Sequence, residues 1–201
     1  MRFTTAITAV LLGLPPAATL SAAAAQPQFG KTLPPVGFVN FCSRNPSRCK
    51  AVSITAPTLR MTAARWRLVQ RLNSLINARI APDRDENLYG EAEYWTYPSA
   101  AGDCEDYVLL KQRYLESLGF PRSALLITVV FDETGEGHAV LTLVTNEGDF
   151  ILDNRNNHIR RWSEVRYTFL KRQSQQDPRE WVSLGGVPPA GSGGVTSSED
   201  N

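Results

Sequence analysis

Apolar residues along this chain follow two different periods. Across residues 58–80, Trp66, Val69, Leu72 or Asn73, Ile76 and Ile80 recur every three to four positions, with Arg67 and Arg71 on another face. That spacing predicts an amphipathic helix, ended by Pro82 and Asp83. A second helix is predicted from Asp103, which stands as N-cap with Asp106 as the acidic partner of a capping box. Tyr107, Val108, Lys111, Tyr114, Leu115 and Leu118 form its inward stripe with one polar interruption, and Gly119 and Pro121 stop it. Between the two helices, a polar connection rich in aromatics (Tyr94, Trp95, Tyr97) reads as an ordered loop. The pattern then turns to strands. Residues 125–131 are a β-branched run, 132–137 a turn, and 138–145 and 149–153 two strands around Asn146-Glu147-Gly148. A further strand is expected over 167–170. Helix, helix and antiparallel meander make an α+β protein with helices packed on the sheet, not a βαβ alternation.

The two ends stand apart from this pattern. Arg2, the run containing Val10, Leu11, Leu12 and Leu14, and the alanines 22–25 predict a secretory signal over residues 1–25. Pro15 and Pro16 interrupt the apolar run, which favours cleavage near Ala25 over retention as a membrane anchor. From Gly185 the chain is Gly, Ser and Pro with two acids, the composition of a disordered tail over 185–201. One globular domain, residues 26–184, is the expectation for what lies between.

Charge changes the picture in one respect. Basic and acidic residues nearly balance, 21 against 20, which argues against nucleic acid as a partner. They are not mixed along the chain. All nine charges over 26–82 are basic, whereas from Asp83 onward 20 acids face 11 bases. Two readings follow: a basic helix docks on an acidic remainder, or the acidic half gathers carboxylates around a cation or a basic substrate.

Three cysteines carry the candidate chemistry. In an exported protein, Cys42 and Cys49 flank a turn-rich loop with Asn45 and Pro46, short enough to close with a disulfide that contributes about 2 to 3 kcal/mol by the loop-entropy argument. A metal pair is the weaker reading, because no second cysteine pair or nearby His completes a zinc site. Cys104 is left over. At the first turn of its helix the free backbone N–H groups favour a thiolate, while Asp103, Glu105 and Asp106 oppose it. A nucleophilic thiol needs a base and a group to orient that base. Of the two histidines, His158 lies in a polar surface stretch, whereas His138 opens a strand and Asp153 closes the next. A turn centred on Thr145 and Asn146 puts His138 opposite Asp153, and a turn one residue later makes the pair diagonal on the same face. Either register leaves an imidazole near a carboxylate; the plain alternative is that both residues merely begin and end strands.

These residues resemble the bacterial transglutaminase-like cysteine proteinases. Gly102-Asp103-Cys104-Glu105-Asp106-Tyr107 at a helix start, Gly137-His138-Ala139-Val140-Leu141 on a strand and Leu152-Asp153-Asn154 after it carry the resemblance. Phe41-Cys42 with Pro46 and Cys49, Trp66 with Asn73 and Asn77, and Arg172-Gln173-Ser174 with Trp181 support it. It implies a papain-like, transglutaminase-like core with Cys104 as nucleophile, His138 as general base and acid and Asp153 as the orienting carboxylate. It also implies Ca²⁺ on Asp103 and Glu105, a periplasmic endopeptidase that releases a large surface adhesin and so governs biofilm attachment, and an inner-membrane receptor as a regulatory partner. Calcium suits hard carboxylate oxygens and would offset the anions around Cys104. The expected oxyanion donor is the Cys104 backbone N–H, with Trp95 or an Asn as a second candidate. The same triad would serve glutamine transamidation or another amide acyl transfer, and a noncatalytic calcium- or partner-binding protein is the reading from a different class.

Overall fold

The structure is a computed structural model that describes residues 25–51 and 58–186. Its elements run β1 (Lys31–Thr32), α1 (Val36–Arg44), α2 (Ala63–Arg79), β2 (Ala81–Pro82), α3 (Asp85–Tyr89), β3 (Ala101–Gly102), α4 (Cys104–Ser117), β4 (Leu125–Phe131), β5 (Gly137–Thr145), β6 (Gly148–Leu152), β7 (Arg160–Arg161), β8 (Thr168–Gln173) and β9 (Trp181–Ser183). Seven strands form one sheet in the order β1-β9-β8-β4-β5-β6-β7, every pairing antiparallel, with the helices packed on it. The α+β expectation holds. Of the expected signal, residues 1–24 lie outside the described residues, as do 187–201 of the expected tail. The chain stays bonded to the sheet through Gly186, whose N–H donates to the Phe169 carbonyl at 3.0 Å.

Each strand of the central hairpin forms where branched residues are buried on both faces. β4 has no exposed position, so it reads as a continuous apolar run and not an alternation. Against it packs α4, which turns Tyr107, Val108, Lys111 and Leu115 inward. Tyr114 and Leu118, expected on that stripe, are exposed. The buried stripe ends at Leu115, two residues before the helix does.

Helix α2 begins later than the periodicity suggests. Thr62 is its N-cap, accepting from the Arg65 N–H at 3.2 Å, so residues 58–62 lie outside the helix. Val69, Leu72, Asn73 and Ile76 face the core, and Trp66 meets Phe150 edge-on at 4.7 Å between ring centroids. Among the described residues, the α2 arginines make no ion pair with the acidic half. Arg67 and Arg71 instead line a cleft of about 630 Å³ with Trp66, Phe150 and Arg161. Ion pairs between the two charge halves come from Arg48, which pairs with Glu116 at 2.9 Å, and from Lys31, which pairs with Glu180 at 2.7 Å.

The N-terminal elements were not legible as such. α1 buries Phe38 and Phe41, and Phe38 packs edge-on against both Trp95 and Trp181. Cys42 on α1 and Cys49 after it form a disulfide, with Cα atoms 5.6 Å apart. The bridge clips the end of α1 onto the turn that follows.

Candidate active site

The Cys104 side chain stands at the head of α4 because of the turn before it. β2 and β3 pair in parallel, Ala81 with Ala101 and Pro82 with Gly102, which brings the end of α2 beside the start of α4. Gly102 leaves room there that no side chain could use, since a Cβ would sit 2.6 Å from Asp106 Oδ2. Asp103 takes the N-cap position with extended backbone, but its side chain makes no capping hydrogen bond. The capping box expected of Asp103 and Asp106 is therefore absent. Asp106 accepts instead from the Thr96 N–H at 2.8 Å and stays buried. As the first helical residue, Cys104 keeps a backbone N–H with no intrahelical acceptor.

The meander brings the other groups to this point. The β5–β6 turn centres on Asn146 and Glu147, pairing Thr145 with Gly148 and Leu141 with Leu152. Of the two registers open to the sequence this is the diagonal one. His138 Nε2 and Asp153 Oδ1 are 3.0 Å apart, both side chains buried. Asp153 Oδ1 also accepts from the Arg155 N–H at 3.0 Å, and Oδ2 from the Tyr167 hydroxyl at 2.5 Å. Asn77 on α2 donates to the Asp153 carbonyl at 2.8 Å, which fixes the backbone of the same residue. Burial by itself raises the Asp153 carboxyl, but the hydrogen bond and charge of His138, with Tyr167 and the Arg155 N–H, outweigh it and bring the group down to about 2. The carboxylate is thus the anion, so Nε2 of His138 carries the proton toward it and Nδ1 is left with its lone pair. Nδ1 is buried and has no partner.

Cys104 Sγ lies beside the same strand, accepting from the Ala139 N–H at 3.4 Å, and its S–H donates to Glu105 Oε2 at 3.0 Å. Burial, then the Glu105 carboxylate, lift the thiol well above its ordinary range. Both Cys104 and His138 line one groove of about 1050 Å³. Trp95 lines the groove too, but its indole N–H is already committed to Glu93 Oε2 at 2.8 Å. Asn87 and Asn154 also line the groove. His158 is exposed.

A cluster of carboxylates sits beside the thiol. One oxygen from each of Asp85, Asp103 and Asp106 lies within 4.8 Å of the others. Asp85 and Asp106 are each anchored by one oxygen, to the Tyr94 N–H at 2.5 Å and to the Thr96 N–H. Asp85 Oδ1, Asp103 Oδ1 and Asp106 Oδ2 are buried without a hydrogen-bond partner. Clustered carboxylates with unpartnered buried oxygens are the kind of donor that suits a hard divalent cation. Burial, and then the neighbouring acids, raise Asp103 to about 6 and Asp106 to about 8. Of the two sequence candidates for the metal, Asp103 lies in the cluster and Glu105 points at the thiol. Asp85 and Asp106 were not read as ligands, and Tyr167 was read only as a strand residue.

The sequence pattern of the bacterial transglutaminase-like cysteine proteinases matches residues 28–187. A search of curated protein sequences gives no match. Among solved structures the chain is similar to Legionella pneumophila LapG. The calcium-bound form aligns with TM-score 0.52 and 21% identity over 66% of this chain and 76% of that one. A second LapG structure gives TM-score 0.49 and 25% identity over 57% and 66%. The EGTA-treated form gives 0.48 and 24% over 56% and 64%, so the likeness there spans less than two thirds of LapG. The calcium-bound comparison is one of fold.

Proposed function

The chain belongs to the bacterial transglutaminase-like cysteine proteinase family, and from that membership and the groove we infer that this cysteine peptidase cuts internal peptide bonds of a protein substrate with Cys104, His138 and Asp153. The observation that carries this reading is the His138 ring, bound through Nε2 to an anionic Asp153 and with a free Nδ1, in one groove with Cys104. Cys104 sulfur attacks the substrate carbonyl as its proton passes to His138 Nδ1. The developing oxyanion sits at the free first-turn N–H of Cys104. His138 then gives the proton to the leaving amine, and a thioester to Cys104 remains. Water, deprotonated by His138, hydrolyses it.

Asp85, Asp103 and Asp106 would hold Ca²⁺, with Glu105 at the edge of the same cluster. When bound, the cation supplies positive charge that offsets the field opposing a Cys104 thiolate. No helix of the described residues is long and apolar enough to cross a membrane. Together with the signal pattern over 1–25 and the Cys42–Cys49 disulfide, this supports a periplasmic enzyme. A large surface adhesin as substrate and an inner-membrane regulatory receptor belong to the same proposal, on the family's behaviour.

Tyr167 is a positioning residue in this scheme. Its hydroxyl, kept protonated by burial and by Asp153, holds the carboxylate that holds the imidazole. Asp153 contributes as an anion above about pH 2 and loses that role as pH falls through it. Tyr167→Phe should lower kcat about tenfold with KM little changed, and move the acid limb of the pH profile upward, as one charge-assisted hydrogen bond is lost. An unchanged profile with a lowered melting temperature would assign Tyr167 to packing alone.

The acceptor is tested by mass spectrometry of products formed in the presence of a primary amine. Hydrolysis yields free carboxyl termini. Amine-bearing products would make the protein an acyltransferase on the same triad.

A further inference from the structure

We infer that the groove selects polypeptide segments carrying a Lys or Arg within about three residues of the scissile bond, an inference that rests on the peptidase reading. Cys104 and His138, which line the groove together, mark where the reacting carbonyl and leaving nitrogen lie. Acids line the same groove. Asp83 precedes α3, Glu86 lies in its first turn, and Glu136 is on the β4–β5 turn. Glu86 and Glu136 are exposed and, among the described residues, have no ion-pair partner. Of the inner acids, Asp103 belongs to the carboxylate cluster, Glu93 accepts from the Trp95 indole and Glu105 from the Cys104 thiol. On the basic side, Arg155 is already engaged by Asp132, which leaves Arg84 as the one unengaged base among the described groove residues.

An extended peptide in the groove advances about 3.3 Å per residue, so side chains on either side of the scissile bond pass the rim acids. A cation there meets carboxylates that have no ion-pair partner, and an acid is repelled by them. Each exposed pair is weak and salt-screened, but the rim acids carry the same sign. The charge split along the sequence thereby acquires a use: the acidic half, from Asp83 onward, builds the surface that meets substrate.

The test is cleavage-site profiling of the mature protein, in excess calcium and low salt, on peptides made by cyanogen bromide cleavage of a denatured proteome, with Cys104→Ala as the blank. The result expected is about tenfold enrichment of Lys or Arg over Asp or Glu within three residues of the cut, shrinking as salt rises. Glu86→Gln with Glu136→Gln should flatten it, and Glu133→Gln, on the same turn but outside the groove, should not. Cleavage without basic enrichment, or enrichment that survives the double variant, overturns the inference while leaving the peptidase reading intact. No cleavage above the blank overturns both.

Discussion

His138→Ala is expected to lower kcat by about 1,000-fold or more, and Cys104→Ala to leave no turnover at all. The two losses have different origins. Without Cys104 no thioester forms, so the covalent route is gone. Without His138 the thiol remains, but it sits where burial and the Glu105 carboxylate hold the proton on sulfur. No neighbouring group then removes that proton or returns it to the leaving amine, and general acid–base catalysis of that kind is worth about 100- to 10,000-fold. Asp153→Asn keeps the shape but takes away the anion that sets the ring tautomer, and should fall between wild type and His138→Ala. Initial rates on one peptide, with circular dichroism to confirm folding, check the series. Equal activity in His138→Ala and wild type would remove His138 from the reaction.

Chelation is expected to abolish activity and to soften the fold together. The carboxylates of Asp85, Asp103 and Asp106 cluster, and one buried oxygen of each has no hydrogen-bond donor, which costs stability as long as no cation or proton meets them. At a hundredfold excess over the dissociation constant, a bound cation stabilises by about 2.7 kcal/mol. For a protein of this size that is a rise in melting temperature of about 5 to 10 °C. Asp85→Asn keeps the acceptor for the Tyr94 N–H and removes one charge, so it should raise the calcium needed for half-maximal stabilisation at least tenfold. The melting curve reads this without any assay of activity. A curve indifferent to calcium in the wild-type protein would remove the metal from the account.

What the sequence disclosed follows the range of the interactions involved. Local periodicity located α2, α4 and the β4–β5–β6 meander. It also brought His138 and Asp153 to one face, because a single tight turn relates them. The capping box failed because Asp106 is drawn away by the Thr96 N–H, ten residues back, a contact that no i to i+3 pattern shows. Asp85 was hidden for a similar reason. It lies 18 positions from Asp103, and only the short parallel β2–β3 pairing and the helical turn of α3, where a loop was expected, bring the two together. Trp95 was a fair guess for a donor until its indole N–H was seen committed to Glu93. Tyr167 reaches Asp153 from the position just before β8, not from within the strand expected over 167–170, and no motif marks it.

The central claim, a thiol activated by His138 and supported by a cation, is tested most directly by alkylation of Cys104. Purified mature protein is treated with iodoacetamide across pH, with calcium or EGTA, and wild type is compared with His138→Ala. The account predicts fast labelling at neutral pH in calcium, slowed by EGTA and by loss of His138. Labelling no faster than a free thiol in both proteins, with or without calcium, would contradict it.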